Sequence, residues 1–264
     1  MSEPHLLTER VDNILIATLN RPHKLNAMSA EMLSLLDAAI AAFRDDPSLR
    51  VLLIRAVGRY FCAGADVVSS ELMDTSSGSL IRDAHRRKIG GVQRMWDELE
   101  AIEKPIVAAH HGPCVGGGLE MSLSCDFRLA AANASYSFPE SLFGSLPASG
   151  GVSRLTRIVG THWARYFLMA NMPVDASRAL AMGLVHEVFP NESFAENVMA
   201  FCRHLAKQKP EVMGTAKIAI ELARDLQAAQ ARSLERLANS TLLLGDEYKS
   251  GIAEVRSRLQ RGKT

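Results

Sequence analysis

Apolar residues occur in short unbroken runs and at helical spacing, and the two patterns alternate along the first half of the chain. Residues 14–19, ILIATL, are an uninterrupted run rich in β-formers and closed by Asn20-Arg21-Pro22, which predicts a buried strand. Ser29 then stands at an N-cap position, and Met32, Leu33, Leu36, Ile40 and Phe43 follow at helical spacing as far as Asp45-Asp46-Pro47. A second buried strand, VLLIRAV over 51–57, ends at Gly58. Strand, helix and strand in that order predict a parallel crossover.

The stretch 67–91 lacks a clear period. It holds SSELMDTSSGS and then Arg82, Arg86, Arg87 and Lys88, and it reads as a surface loop leading into a solvated helix face. Residues 92–102 are amphipathic, with Val92, Met95, Trp96, Leu99 and Ile102 on one face, and a strand is expected over 106–109. Past the glycine-rich segment 112–118, a helix is expected from Leu119 to about Cys125, followed by short β-type runs, FRLAA and SYSF. From Arg154 onward the pattern is mainly helical, with clear amphipathic periods over 194–206 and 211–232 and a further helix within 233–262. The fold class expected is α/β for residues 1–160, with an all-helical C-terminal third.

Composition narrows the function classes. The 264 residues are 47% hydrophobic and 22% charged, proportions of a globular protein and not of a disordered or fibrous one. Thirty basic against 29 acidic residues leave a net charge of +1, so no global field holds nucleic acid or an anionic membrane. Cys62, Cys114, Cys125 and Cys202 are not spaced as metal-ligand pairs and read as reduced thiols. The N-terminus has no apolar core of a signal peptide, and no apolar run reaches the ~18 residues of a membrane span. A soluble, cytoplasmic protein without metal or membrane partner is expected.

Two segments carry candidate chemistry. Cys62-Ala63-Gly64-Ala65-Asp66 places small residues directly after a strand, where a ligand can approach the backbone and amides are free to donate. Taken alone, it fits an ordinary tight turn better. In His110-His111-Gly112-Pro113-Cys114-Val115-Gly116-Gly117-Gly118-Leu119-Glu120, a strand leads through three glycines into a helix. The first helical amides lack intrahelical partners and suit one anionic oxygen. The segment matches neither GxxxxGK[ST] nor GxGxxG, so it is no phosphate loop. Glu120 lies about one turn past Gly117, and a second carboxylate, Glu140, follows Phe138-Pro139. Two amide donors and two carboxylates suit chemistry in which a thioester or ketone carbonyl becomes an enolate while protons move nearby. His110 and His111 are adjacent on a strand, so they point to opposite faces, and no nucleophile motif accompanies them.

With these segments in hand, the chain resembles the crotonase family, that of enoyl-CoA hydratases and isomerases. The resemblance rests on LNRPHKLNAMS (19–29), FCAGADV (61–67), KPIVAAHHGPCVGGGLEMSLSCDFRLAA (104–131), FPESLFGSLPASGGVSRL (138–155) and ALAMGLVHEV (179–188). It implies a crotonase-type spiral of ββα units over 1–195 holding the active site. The same resemblance makes 196–264 a helical region that covers the site and builds a homo-oligomer, a trimer or a hexamer. It further implies an acyl-CoA thioester as substrate, with coenzyme A part of that substrate and no separate cofactor.

The catalytic pair falls on Glu120 and Glu140, and the backbone oxyanion donors on Ala63 and Gly117. Substrate or CoA contacts fall on Lys24, Leu25, Ala27, Gly64, Ala65, Asp66, Gly116 and Ala148. Asp66 can instead cap the helix that follows it. The activity implied is hydration of a trans-2-enoyl-CoA. The alternatives are Δ3–Δ2 isomerisation, hydration with retro-aldol cleavage of an aromatic enoyl-CoA, and a binding protein with a vestigial site. PASGGVSRL departs from the PGAGGTQRL-type run of the family, and Phe138 stands where many hydratases carry glutamine; both lie beside the implied acyl pocket.

Overall fold

A computed structural model describes residues 3–67 and 76–261. The chain opens with an antiparallel hairpin, β1 (Leu6–Val11) and β2 (Ile14–Leu19). β2 is the predicted buried strand, whereas β1 carries no apolar signal because only Leu6 of it is buried. Helix α1 (Ala30–Asp45) starts where expected, the Ser29 hydroxyl accepting from the Met32 amide. Its Met32, Leu36, Ala39, Ile40 and Phe43 are buried, each large one contributing about 1.5–3 kcal/mol relative to exposure. β3 (Val51–Ala56) then lies parallel to β2, the predicted crossover.

Helix α2 (Gly78–Ala84) continues through a π-turn at His85–Ile89 into α3 (Gly90–Ala101). Trp96 is wholly buried on α3 as a core residue. β4 (Ile106–His110), β5 (Cys114–Val115), α4 (Gly117–Leu123), β6 (Phe127–Ala131) and β7 (Ser135–Ser137) follow, α4 beginning two residues earlier than the sequence pattern indicates. A 3-10 turn, Pro139–Phe143, precedes α5 (Gly151–Leu168), β8 (Val174–Asp175), α6 (Ala176–Ala181), β9 (Glu187–Phe189) and α7 (Phe194–Ala206). The expected helix over 211–232 is two helices, α8 (Pro210–Ala223) and α9 (Ala228–Leu244). They part at Asp225-Leu226-Gln227, and Gln227 forms a reciprocal capping box with Gln230. The last helix among the described residues is α10 (Asp246–Arg261).

Among the described residues, six strands form one sheet in the order β1-β2-β3-β4-β6-β9, parallel except for β1. Such a sheet is covered on both faces, which is why β3 and β4 read as continuous apolar runs. β5, β7 and β8 form a second, small sheet. The chain divides into two compact units, 1–100 with 105–206, and 101–104 with 207–264. The first contains both sheets and α7, whose Val198 and Cys202 are buried. The second contains α8, α9 and α10.

Among the described residues, no helix is long and apolar enough to cross a membrane, and no cluster of three His, Cys, Asp or Glu residues is placed to hold a metal. All four cysteines are buried thiols, none of them in a disulfide.

Candidate active site

The small sheet and two isolated bridges bring the chemical segments side by side. Val115 on β5 pairs with Ser137 on β7, so the chain leaving β5 at Gly116 runs beside the chain leaving β7 toward Glu140. On the other flank of β5, Cys62 bridges Cys114, and Ala65 bridges Met28. Four stretches far apart in sequence, 24–28, 61–66, 114–120 and 135–140, thereby meet at one place.

Backbone bookkeeping identifies the free donors. Phe61 and Cys62 give their N–H groups to the Pro113 carbonyl, and Asp66 gives its own to the Met28 carbonyl. The Ala63 amide donates to the Leu25 carbonyl at 3.0 Å, so it is not free for the oxyanion role expected of it. The free amide of this loop is that of Ala65, whose N–H has no partner among the described residues. The Gly64 carbonyl accepts from the Met28 amide at 2.8 Å, so the Ala65 N–H across the same peptide points away from Met28, and Gly64 itself sits at φ +92°. The Gly117 amide, at the first position of α4, is likewise unpaired among the described residues. The two amides are neighbours: a Cβ on Gly117 would lie 3.5 Å from the Ala65 nitrogen, and a Cβ on Gly64 would lie 3.2 Å from the Gly117 nitrogen. Bare Cα atoms keep the space before these donors open.

Glu120 stands one turn into α4 and is only 6% exposed. Its Oε1 accepts from the Ser149 amide at 2.7 Å and the Gly151 amide at 3.1 Å. Burial raises its pKa, while those two amides and the nearby Arg154 charge act in the opposite direction. Glu140 lies in the 3-10 turn, and its Oε1 would be 2.7 Å from a Cβ on Gly116. Its Oε2 is buried without a hydrogen-bond partner among the described residues. Burial pushes this carboxyl up to about 7, and the charge of Glu120 adds to the rise. A carboxyl balanced between its two protonation states near neutrality, with one oxygen unengaged, is equipped to transfer a proton.

The remaining expected residues lie on the turns and loops around the two unpaired amides. Lys24, Leu25 and Ala27 form a turn whose Leu25 carbonyl holds the Ala63 amide, so they do abut the oxyanion loop. The Ala148 amide is unpaired among the described residues, while its carbonyl accepts from Gln93 Nε2 at 2.6 Å. Asp66, expected to touch ligand, has its Oδ2 2.6 Å from Arg21 Nη1, both side chains being about nine-tenths buried. That pair ties this loop to Arg21, and the cap expected of Asp66 onto following residues falls in 68–75, outside the described residues. Removing one partner of a buried ion pair leaves a desolvated charge, so Asp66→Asn should cost about 3–5 kcal/mol in urea denaturation. A loss below ~1 kcal/mol would mean that the pair is not what holds this loop.

Asn26 is a structural residue of the site that sequence reasoning misses. It is fully buried, accepting from the Arg21 amide and donating to the Val57 and Tyr60 carbonyls. Its only advance sign is the second Asn of LNRPHKLN. His110 is buried between the Tyr136 and Ser122 hydroxyls, and burial pushes its imidazole down to about 3, so it is a neutral core residue. His111 points the other way, to the Gly58 carbonyl. Phe138 is buried against Phe167 in the core.

Comparison with known proteins places this arrangement. The family model described as enoyl-CoA hydratase/isomerase matches residues 9–260. The chain is 31% identical over 253 residues to a probable enoyl-CoA hydratase of Rhizobium meliloti (strain 1021), covering 96% of this chain and 95% of the relative. It is 30% identical over the same length and coverage to the 2,3-dehydroadipyl-CoA hydratase of Escherichia coli (strain K12). Among solved structures, the "Enoyl-CoA Hydrates Subunit I" of Geobacillus kaustophilus HTA426 superposes with a TM-score of 0.88 at 30% identity, over 96% of this chain and 95% of that one. With sequence and fold matched from end to end, the chain belongs to the enoyl-CoA hydratase/isomerase, or crotonase, family.

Proposed function

We propose that this protein is an enoyl-CoA hydratase, adding water across the double bond of a trans-2-enoyl-CoA thioester. The observation that carries the reading is the pair of unlike carboxylates beside two unpaired amides. The thioester oxygen sits between the Ala65 and Gly117 N–H groups. Glu120 takes a proton from water as its oxygen bonds to Cβ, the π electrons move onto the thioester oxygen, and the amides stabilise the enolate. Glu140 then delivers its proton to Cα as the carbonyl re-forms. The hydroxyl and the Glu140 proton add to one face, a syn addition, and proton exchange between the now protonated Glu120 and ionised Glu140 resets the pair. The Ala148 amide, unpaired among the described residues, helps hold the water. Relatives at about 30% identity carry hydratase names, which supports the same outcome here.

Isomerisation needs only one proton carrier, so the second carboxylate favours hydration over it. The deciding experiment offers short, long and aromatic enoyl-CoA thioesters and weighs the products. A gain of one water supports hydration, an unchanged mass with a moved double bond supports isomerisation, and an aldehyde with acetyl-CoA supports cleavage.

The same reading includes a homo-oligomer, trimer or hexamer, because Leu237 and Leu244 on α9 are 64% and 78% exposed in the single chain and association would cover them. Four cysteines outside any disulfide fit a reducing compartment, the cytoplasm.

A further inference from the structure

Glu120 is held from behind by a loop that is itself held by α3. The peptide joining Ala148 to Ser149 is fixed at both ends: its carbonyl accepts from Gln93 Nε2 at 2.6 Å, and its N–H donates to Glu120 Oε1 at 2.7 Å. The next carbonyl, of Ser149, accepts from Arg154 Nη1 at 3.2 Å. Arg154 is anchored in turn, its Nε and Nη2 gripping Glu100 at 2.9 and 3.0 Å and its Nη2 reaching Asp97 at 2.5 Å. Gln93, Asp97 and Glu100 follow one another at spacings of four and three, on one face of α3.

An ion pair that served only to join α3 to α5 would need no contact with this loop. Here the guanidinium, 7% exposed, aims a third donor at the loop carbonyl. Gly150, at φ +95°, gives up a side chain at a place where a Cβ would collide with Arg154 Nη1. The loop is shaped around the arginine. No protein group among the described residues bonds Glu120 Oε2, so the clamp fixes one oxygen and leaves the other for chemistry.

We infer that Arg154 and Gln93 are positioning residues, fixing the 148–151 loop so that the Ser149 and Gly151 amides hold Glu120 in register with the substrate. This deepens the hydratase reading, on which its kinetic arm rests. Misplacing a reacting group by about 1 Å can cost on the order of 10²-fold in rate. The charged groups facing Glu120 are Glu140 from the 3-10 turn and Arg154 from α5, the latter backed by Asp97 and Glu100. Arg154 favours the ionised form of Glu120, so its loss raises the Glu120 pKa and moves the acid limb of kcat to higher pH.

The test uses the full-length protein with crotonyl-CoA, and in parallel follows the Glu120 carboxylate by 13C NMR titration without substrate, assigned with Glu120→Gln. Arg154→Gln should lower kcat about 10–100-fold with KM within about threefold, and the Glu120 titration should move up. Arg154→Lys keeps the charge without the fork, so the limb should return toward its original place while kcat recovers only in part. Gln93→Ala should lower kcat by about threefold or more with little movement of the limb.

Arg154→Gln and Gln93→Ala proteins that both keep kcat within about twofold, with Glu120 titrating as in the parent, would overturn the inference. If the parent hydrates nothing yet Arg154→Gln still moves the Glu120 titration, the hydratase reading fails and the clamp stands. If Arg154→Gln does not fold, Gln93→Ala and Glu100→Gln decide the matter on the same two readouts.

Discussion

Replacing Glu140 with Gln should nearly abolish hydration, with a loss of about 10²–10⁴ in kcat, while affinity for a saturated acyl-CoA stays within a few-fold. Glutamine has the shape of glutamate but no acidic proton to give Cα. Little is lost structurally, because the buried Oε2 of Glu140 bonds to nothing among the described residues. Glu120→Gln should cost about as much for the complementary reason. The amide oxygen can still accept from Ser149 and Gly151, yet it cannot take a proton from water.

The pH dependence follows from the same assignment. Glu140, raised to about 7, is progressively deprotonated as the pH climbs through that value, so activity falls on the alkaline side. Glu120 must be ionised to act as base, and its raised pKa brings the loss on the acid side toward neutrality. The two carboxyls interact, so the limbs of the resulting bell belong to the pair. Steady-state kinetics on the best enoyl-CoA, with binding measured by calorimetry, checks both variants. Near-parental turnover in either removes that residue from the mechanism.

Elements with strong periodicity are legible in the sequence. β2, α1, β3 and α3 each combine a clean apolar pattern with a boundary signal, such as the Ser29 cap or Pro105. β1 escapes because an exposed antiparallel edge strand carries no apolar alternation. The break between α8 and α9 escapes because Asp225-Leu226-Gln227 contains neither Gly nor Pro, and only the Gln227 capping box marks it.

In the site, Glu120 and Glu140 lie in segments that the sequence marks locally by glycines and proline. The free amide of 62–66 also lies in a marked segment, but the sequence does not say which amide it is. Ala63 and Ala65 flank the same glycine and are chemically identical, and which N–H is free depends on the Leu25 carbonyl and on the sign of φ at Gly64. The clamp on Glu120 is less legible still, since Gln93 and Arg154 meet across 61 residues of sequence through a loop whose amides carry no side-chain signature.

The glycines before Glu120 offer the other large effect. Gly117→Val should lower kcat/KM by about 10²–10³, the usual loss for one oxyanion donor, although no functional group is deleted. Its Cβ would stand 3.5 Å from the Ala65 nitrogen, and the two γ-methyls would fill the space that the thioester oxygen must enter. From sequence alone, Gly116→Ala is the milder neighbour unless the φ of Gly116 is positive. The structure meets that condition: Gly116 has φ +52°, and a Cβ there would fall 2.7 Å from Glu140 Oε1, so alanine both strains the backbone and pushes the acid away.

The two variants should therefore fail differently. Gly117→Val leaves Glu140 able to titrate near 7 and loses oxyanion stabilisation, whereas Gly116→Ala disturbs the alkaline limb of the pH profile along with the rate. Circular dichroism confirms folding, and pH-resolved kcat/KM separates the cases. A folded, rapid Gly117→Val enzyme would mean that the thioester oxygen is held elsewhere, and the pairing of Ala65 with Gly117 would have to be abandoned.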